Sequence, residues 1–158
     1  MPENLDLSPL FAPLEIRGKK LRNRIVMPPM VQLRPITTPE AVDWYARRAA
    51  GGVGLIIVEA TSVNRFGTEL KADNLRPLVA AVQGEGARIA IQLFPITFGE
   101  KKSPEELSED DIAGMIRNYI RAAGICAEAG FDAMEPHGAH GYVLNQFFSP
   151  EQNARTDD

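Results

Sequence analysis

Residues 53–58 read Val-Gly-Leu-Ile-Ile-Val, set between Gly51-Gly52 and a polar loop that begins at Glu59. A strand with one wet face alternates apolar and polar residues. A continuous apolar run of this length predicts instead a strand buried on both faces, as in a parallel sheet. The punctuation around the run repeats in both directions. Upstream, Thr38-Pro39 predicts a helix start, with threonine as N-cap and proline in the first turn. Val42, Tyr45 and Ala49 fall on one face of that helix, and Gly51-Gly52 end it. Downstream, Leu75, Leu78, Val79 and Val82 form a second helical stripe that ends near Gly84 and Gly86. Ile89 to Leu93 (IAIQL) is the next strand. Ser108 and Asp111 fit a capping box, ahead of Ile112, Met115, Ile116, Tyr119, Ile120 and Ala123 at helical spacing. Gly124 weakens that helix by roughly 1 kcal/mol relative to alanine. Gly130 stops it, and Phe131 to Glu135 reads as a fourth short strand.

At the front, residues 14–21 (LEIRGKKL) predict a hairpin turning about Gly18-Lys19. Ile25-Val26-Met27 follows as a strand that Pro28 and Pro29 close, since proline has no N–H for a ladder. The order is a hairpin, then β-α-β-α-β-α-β, then a loop-rich tail. This is an α/β class with parallel strands and right-handed crossovers. Periodicity suits either a doubly wound sheet or a barrel and does not choose between them.

Composition sets the remaining bounds. The chain has 158 residues, 44% hydrophobic and 24% charged, with 21 acidic against 17 basic residues. That balance argues against a nucleic-acid surface. No apolar run approaches the ~20 residues of a membrane span. The opening MPENLDLSPLF lacks the basic and apolar regions of a secretory signal, so a cytoplasmic location is expected. Cys126 is the lone cysteine; it can make neither an intramolecular disulfide nor a four-cysteine metal site, and it is expected to be inert. Trp44 and Tyr45 are expected to pack between helix and sheet, and Glu105 to Asp111 to form a solvated acidic loop. There is no low-complexity stretch and no repeat. The length falls well short of the about 250 residues of a complete (β/α)8 barrel.

Polar residues outside the helices gather after the strands. Pro28–Gln32, Glu59–Thr61, Gln92–Pro95 and His137–Tyr142 all follow strand C-terminal ends, where parallel α/β folds bind ligands. His137-Gly-Ala-His140-Gly-Tyr142 holds both histidines of the chain within six residues. Three readings are open for it. A metal site would recruit Glu135 or Glu59 as further ligands, without the helical spacing such sites often use. A structural loop would spend the imidazoles on backbone groups. A substrate site would use two imidazoles to hold a developing oxyanion and the tyrosine hydroxyl to donate a proton. Gln92 interrupts an apolar strand, and its amide could read the edge of a heterocycle or simply face solvent. No GxGxxG and no P-loop accompany it, so a bound nucleotide would be held in another way.

Longer stretches resemble a known family. LFAPLEIRGKKLRNRIVMPPM, GVGLIIVEAT, RIAIQLF and GFDAMEPHGAHGYVLNQFFSPEQNARTD occur in the order found in the old yellow enzyme family, the NADH:flavin oxidoreductases. The similarity runs from about Leu10 to Asp157. It implies a TIM-type (β/α)8 barrel, here about its first four βα units behind an N-terminal hairpin, as a single partial domain over 1–158. It implies FMN as cofactor, NAD(P)H as reductant, and an activated alkene such as an enone as small-molecule substrate. Pro28, Pro29 and Met30 would lie against the flavin, Ala60 would offer its backbone, and Gln92 would bond the pyrimidine part. His137 and His140 would hold the substrate carbonyl oxygen, and Tyr142 would deliver the proton opposite the hydride.

Several residues depart from the family pattern. Val31 stands where a threonine or cysteine usually meets the flavin, Phe94 stands for a tryptophan, and Pro136 stands for an aliphatic residue. The segment after the third strand is short, so part of the usual cover is missing. One cysteine also excludes the iron–sulfur cluster of longer relatives. The sequence stops before the family's last four strands, so an open strand edge is expected. A homo-oligomer or a separate barrel half would cover it. The alternative to an enzyme is a catalytically silent half-barrel that serves as a structural module.

Overall fold

A computed structural model describes residues 5–96 and 102–157. A four-residue helix α1 (Ser8–Phe11) leads into the hairpin β1 (Leu14–Ile16) and β2 (Lys19–Leu21), paired antiparallel with Leu14 opposite Leu21. The turn centres on Arg17-Gly18, both at positive φ (47° and 78°), one residue earlier than predicted. Two consecutive left-handed residues give the turn whose twist matches a hairpin, and Lys19 is thereby left to pair in β2.

The main sheet contains β3 (Val26–Met27), β4 (Leu55–Ser62), β5 (Arg88–Phe94) and β6 (Ala133–Pro136). All neighbours are parallel, and the spatial order β3-β4-β5-β6 is the chain order. A doubly wound sheet reverses direction at a switch point. A sheet that advances one neighbour per βα unit is an arc of a barrel, which settles what periodicity left open.

Helices α2 (Pro39–Ala50), α3 (Ala72–Gly84) and α4 (Glu109–Ala129) make the crossovers. Each starts or stops where its signals stand. Thr38 Oγ1 accepts from the Ala41 N–H, Ser108 and Asp111 exchange both bonds of a capping box, and Gly130 ends α4 at φ 98°. Between sheet and helices lies one dry core, including Tyr45, Ile56, Val58, Leu75, Leu78, Val82, Ile89, Ile91 and Cys126. Tyr45 is fully buried, and Trp44 packs partly against the same core beneath the Arg48 guanidinium. Burial pushes the Cys126 thiol up to about 12, which leaves it un-ionised at neutral pH, as an inert core residue should be.

The opposite sheet face is different. Leu55 and Ile57 stay half-buried, so β4 is closed on one face only, not on both as its apolar run predicts. No described helix covers that side. On α4 the predicted stripe is also split: Ile116 and Ile120 are 55% and 67% exposed. The small residues Ala122, Cys126 and Ala129 make the buried contact instead, because they let α4 approach closely.

Three further corrections concern the second half of the chain. The fourth strand begins at Ala133, because Asp132 is spent accepting from the Ile89 N–H and from Arg88 at its head. The acidic stretch is not merely a solvated loop. It contains a 3-10 turn, Pro104–Glu106, and Glu105 Oε1 accepts the Ala154 N–H at 2.6 Å while Arg155 donates to Pro104 O at 2.7 Å. The tail is likewise not all loop, since Val143–Phe147 forms a short helix, α5. Among the described residues, no helix is long and apolar enough to cross a membrane.

Candidate active site

A cavity of about 600 Å3 opens at the C-terminal ends of the four parallel strands. Pro29, Met30 and Val31 line it after β3, Ala60 from β4, Gln92 from β5, and Glu135 with the loop 136–142 from β6. The strand-end segments singled out from sequence are therefore brought together. His137, His140, Tyr142, Gln92, Ala60, Pro29 and Met30 all border the same space, whereas Pro28 is exposed and stands just outside the lining.

The loop after β6 is shaped by two local features. Pro136 pairs with Leu93 but has no N–H, and the next amide, His137 N–H, donates to Leu93 O at 2.9 Å. That bond seats His137 at the strand end. His140 and Gly141 then both take positive φ, 60° and 70°, which reverses the chain and turns Tyr142 back over the site. Glycine adopts this conformation freely, while a histidine held there stores strain of the kind found at functional sites.

Aromatic edges fix the side chains. The Phe94 ring meets Tyr142 edge-on at 4.8 Å and His137 at 5.3 Å. His137 in turn lies 5.2 Å from Tyr142 and 5.3 Å from His140, centroid to centroid. Phe94, Ile96, Leu107 and Val143 form a second small apolar cluster on which Tyr142 and Ala60 rest. Such T-shaped pairs set ring orientation as well as distance.

His137 is buried, and desolvation is the main reason its imidazole is held below the usual value. A hydrogen bond to its own backbone opposes this, the nearby His140 adds to it, and Glu135 opposes it more weakly. Nδ1 takes a long 3.4 Å contact from the Ala139 N–H. A neutral imidazole carries one N–H donor and one acceptor nitrogen, so the ring can give one hydrogen bond.

The two carboxylates considered as metal ligands are committed elsewhere. Glu135 Oε1 accepts from Gln92 Nε2 at 2.6 Å. Glu59 Oε2 accepts from the Gln32 N–H at 2.8 Å, and Tyr45 Oη lies 3.4 Å away. Neither is aimed with the histidines as a ligand set. The sequence reading missed these two partnerships. A glutamate inside the apolar run LIIVEAT was the available signal that a buried carboxylate needed a partner.

A parallel arc of βα units with polar side chains gathered over its strand ends has the layout of a barrel's ligand-binding face. The sequence profile of the NADH:flavin oxidoreductase / NADH oxidase family matches residues 9–100 and 95–158, and the chain belongs to that family. FMN is the family's cofactor and NAD(P)H its reductant. The chain is 39% identical to an NADPH dehydrogenase of Geobacillus sp. (strain WCH70), across 94% of itself and 53% of that protein. It is 36% identical to a metal reductase of Desulforamulus reducens, across 96% of itself and 27% of that protein. In structure it resembles the old yellow enzyme of Pichia sp. AKU4542, with a TM-score of 0.78 at 27% identity, covering 94% of this chain and 50% of that one.

The fold is thus of the TIM-barrel type, and the chain spans about half the length of the NADPH dehydrogenases it matches. The match to the Geobacillus protein extends over 181 residues, more than the chain's 158, so that relative carries extra residues inside the matched span. The two profile segments meet at residues 95–100, where the sequence shows a short connection after the third predicted strand. Residues 97–101 lie outside the described residues.

Proposed function

We propose that residues 1–158 form a partial barrel domain that supplies one side of an old yellow enzyme-type site, where an activated C=C bond is reduced. The observation that carries this is the convergence of Gln92, His137, His140 and Tyr142 on one cavity at the strand ends. FMN, when bound, supplies the two-electron relay between NAD(P)H and the acceptor.

The donor set suits a flavin. Gln92 gives one amide hydrogen to the Glu135 carboxylate, which can only accept. Gln92 lines the cavity, so its Oε1 and second N–H offer an acceptor beside a donor, complementary to the N–H and C=O of an imide edge. Pro29, Met30 and Val31 offer an apolar rim against which a flat ring can lie. Pro28 extends that rim by one residue, and Ala60 brings backbone rather than a bulky side chain. Valine at position 31 has no hydrogen to donate, so the flavin would lack that contact and be harder to reduce.

His137 donates a ring N–H to the acceptor's carbonyl oxygen, with His140 5.3 Å away as the second donor. Both donors strengthen as charge builds on that oxygen. Tyr142 Oη delivers the proton that completes saturation of the C=C bond and regains one from water. The test is reduction of a cyclic enone by the protein supplied with FMN and NADPH. Loss of enone absorbance supports the proposal. NADPH oxidation with the enone untouched would refute this acceptor class.

A second reading has a specific observation behind it. Ile116 and Ile120 of α4 and Phe148 (83% exposed) leave apolar surface open, as a self-associating module would. Light scattering on the purified chain tests it, since a stable monomer contradicts self-association.

A further inference from the structure

Behind the cavity lies a polar network in which none of the groups that touch substrate takes part. In the β4–β5 ladder Val58 pairs with Ile91 and Thr61 with Leu93, so Glu59 and Ala60 together stand opposite Gln92. This is a bulge, a device that re-aims side chains beside sites. The Glu59 N–H is picked up by Tyr45 Oη of α2, which accepts it at 3.2 Å. The same hydroxyl donates toward Glu59 Oε2 at 3.4 Å, and that oxygen also accepts the Gln32 N–H at 2.8 Å. Gln32 Nε2 then donates to Met30 O at 2.9 Å. Thr61 Oγ1 donates to Glu59 O and closes the bulge from its other side.

The chain of bonds thus runs from α2, through the bulge that carries Ala60, to the loop that carries Met30 and Val31. Both anchors are deep: Tyr45 is 1% and Glu59 7% exposed. A carboxylate so placed is costly, and burial does push Glu59 up from its usual range. Apolar side chains would fill the same space at less cost to the core. They could not, however, hold the backbone of Gln32.

We infer that Tyr45 and Glu59 are positioning residues, which hold Met30–Gln32 and Ala60 as one preset wall of the cavity. The clamp rests on the flavin reading only for what the wall receives. Flavin binding and loop order can therefore be measured separately.

Amide exchange at Gln32 and FMN affinity by flavin fluorescence are compared in the unmodified chain and in Tyr45→Phe, Glu59→Ala and Glu59→Gln. Losing the buried acceptor in Glu59→Ala should speed Gln32 exchange about five- to tenfold, leaving Ile89 and Ile91 in β5 unchanged. FMN affinity should fall by a similar factor, and the visible band of the bound flavin should shift. Tyr45→Phe should act in the same direction, more weakly. Glu59→Gln keeps an oxygen for the Gln32 N–H and should restore most of the protection and affinity.

Unchanged Gln32 exchange in Glu59→Ala overturns the inference. So does an equal rise at Ile89 and Ile91, which would make the network ordinary core. Faster Gln32 exchange with undiminished FMN affinity also overturns it. Should Glu59→Ala fail to fold, Glu59→Gln decides, and a Gln32 amide there as fast as in a free peptide counts against the clamp. An unmodified chain that takes up no FMN refutes the flavin reading, and Gln32 exchange then judges the clamp alone.

Discussion

The cavity has two walls built on opposite plans. The wall of Met30–Gln32 and Ala60 is tied by hydrogen bonds to a buried carboxylate and a buried phenol. The wall of His137–Tyr142 is tied at short range, by the His137 N–H to Leu93 O and by Gly141 to the Asn145 and Gln146 side chains of α5. Its rings are stacked edge to face on Phe94, and its backbone turns through two left-handed residues. One wall is held by polar bonds reaching through a buried carboxylate to α2, the other by edge-to-face rings and short bonds to β5 and α5. A polar clamp fixes where a backbone lies, which suits a surface for a resident ring. Packed aromatics fix how side chains point, which suits groups that act on a passing substrate.

If that contrast is right, the second wall should break by loss of volume. Phe94→Ala removes the ring that Tyr142 and His137 share, at about 3–5 kcal/mol for a buried phenylalanine. Denaturant unfolding checks it, and a loss under about 1 kcal/mol would show that the rings do not depend on Phe94. Tyr142→Phe should keep the packing and remove only the proton. Acceptor reduction should slow about a hundredfold or more, with flavin reduction by NADPH nearly unchanged. Stopped-flow measurement of the two half-reactions checks it, and equal slowing of both contradicts the role.

Gly141→Ala forces a side chain into a left-handed position although nothing lies within 4 Å of the added carbon. The cost should be about 1–2 kcal/mol from backbone alone. Thermal unfolding that shows no loss would mean the turn at 140–141 relaxes freely.

The smallest expected effect is the pH response of His137. Its folded value lies below the unfolded value of about 6.5, because burial disfavours the charged ring. Its contribution to stability is therefore complete above that pH and is lost as pH falls through the lowered folded value. The NMR titration of its ring protons should show a midpoint under about 6.5. A midpoint above this would mean that the backbone hydrogen bond and Glu135, not burial, govern the ring.

The helix layer and the strand count were legible in the sequence, because Leu75, Leu78, Val79 and Val82 or Thr38-Pro39 carry their signals locally. The cavity's membership was legible too, since parallel strands place Met30, Ala60, Gln92 and His137 at one edge once they are counted. The split stripe of α4 was not legible. Whether Ile116 meets a neighbour depends on what lies beside the helix, and periodicity cannot tell a covered flank from a bare one. The bulge at Glu59-Ala60 was hidden for a related reason. It exists only as a mismatch between β4 and β5, two segments whose register no local pattern records. With it went the link from Tyr45 to Gln32, which joins residues far apart in the chain through a single carboxylate.

The central claim is that both walls enclose one flavin-dependent site. Titration of the labelled chain with FMN, followed by amide and side-chain NMR, tests it most directly. The account predicts shifts at Met30, Val31, Ala60, the Gln92 side-chain amide and the 137–142 loop, with α3 unmoved. Saturating FMN that leaves the Gln92 amide and the His137 ring where they were would contradict it.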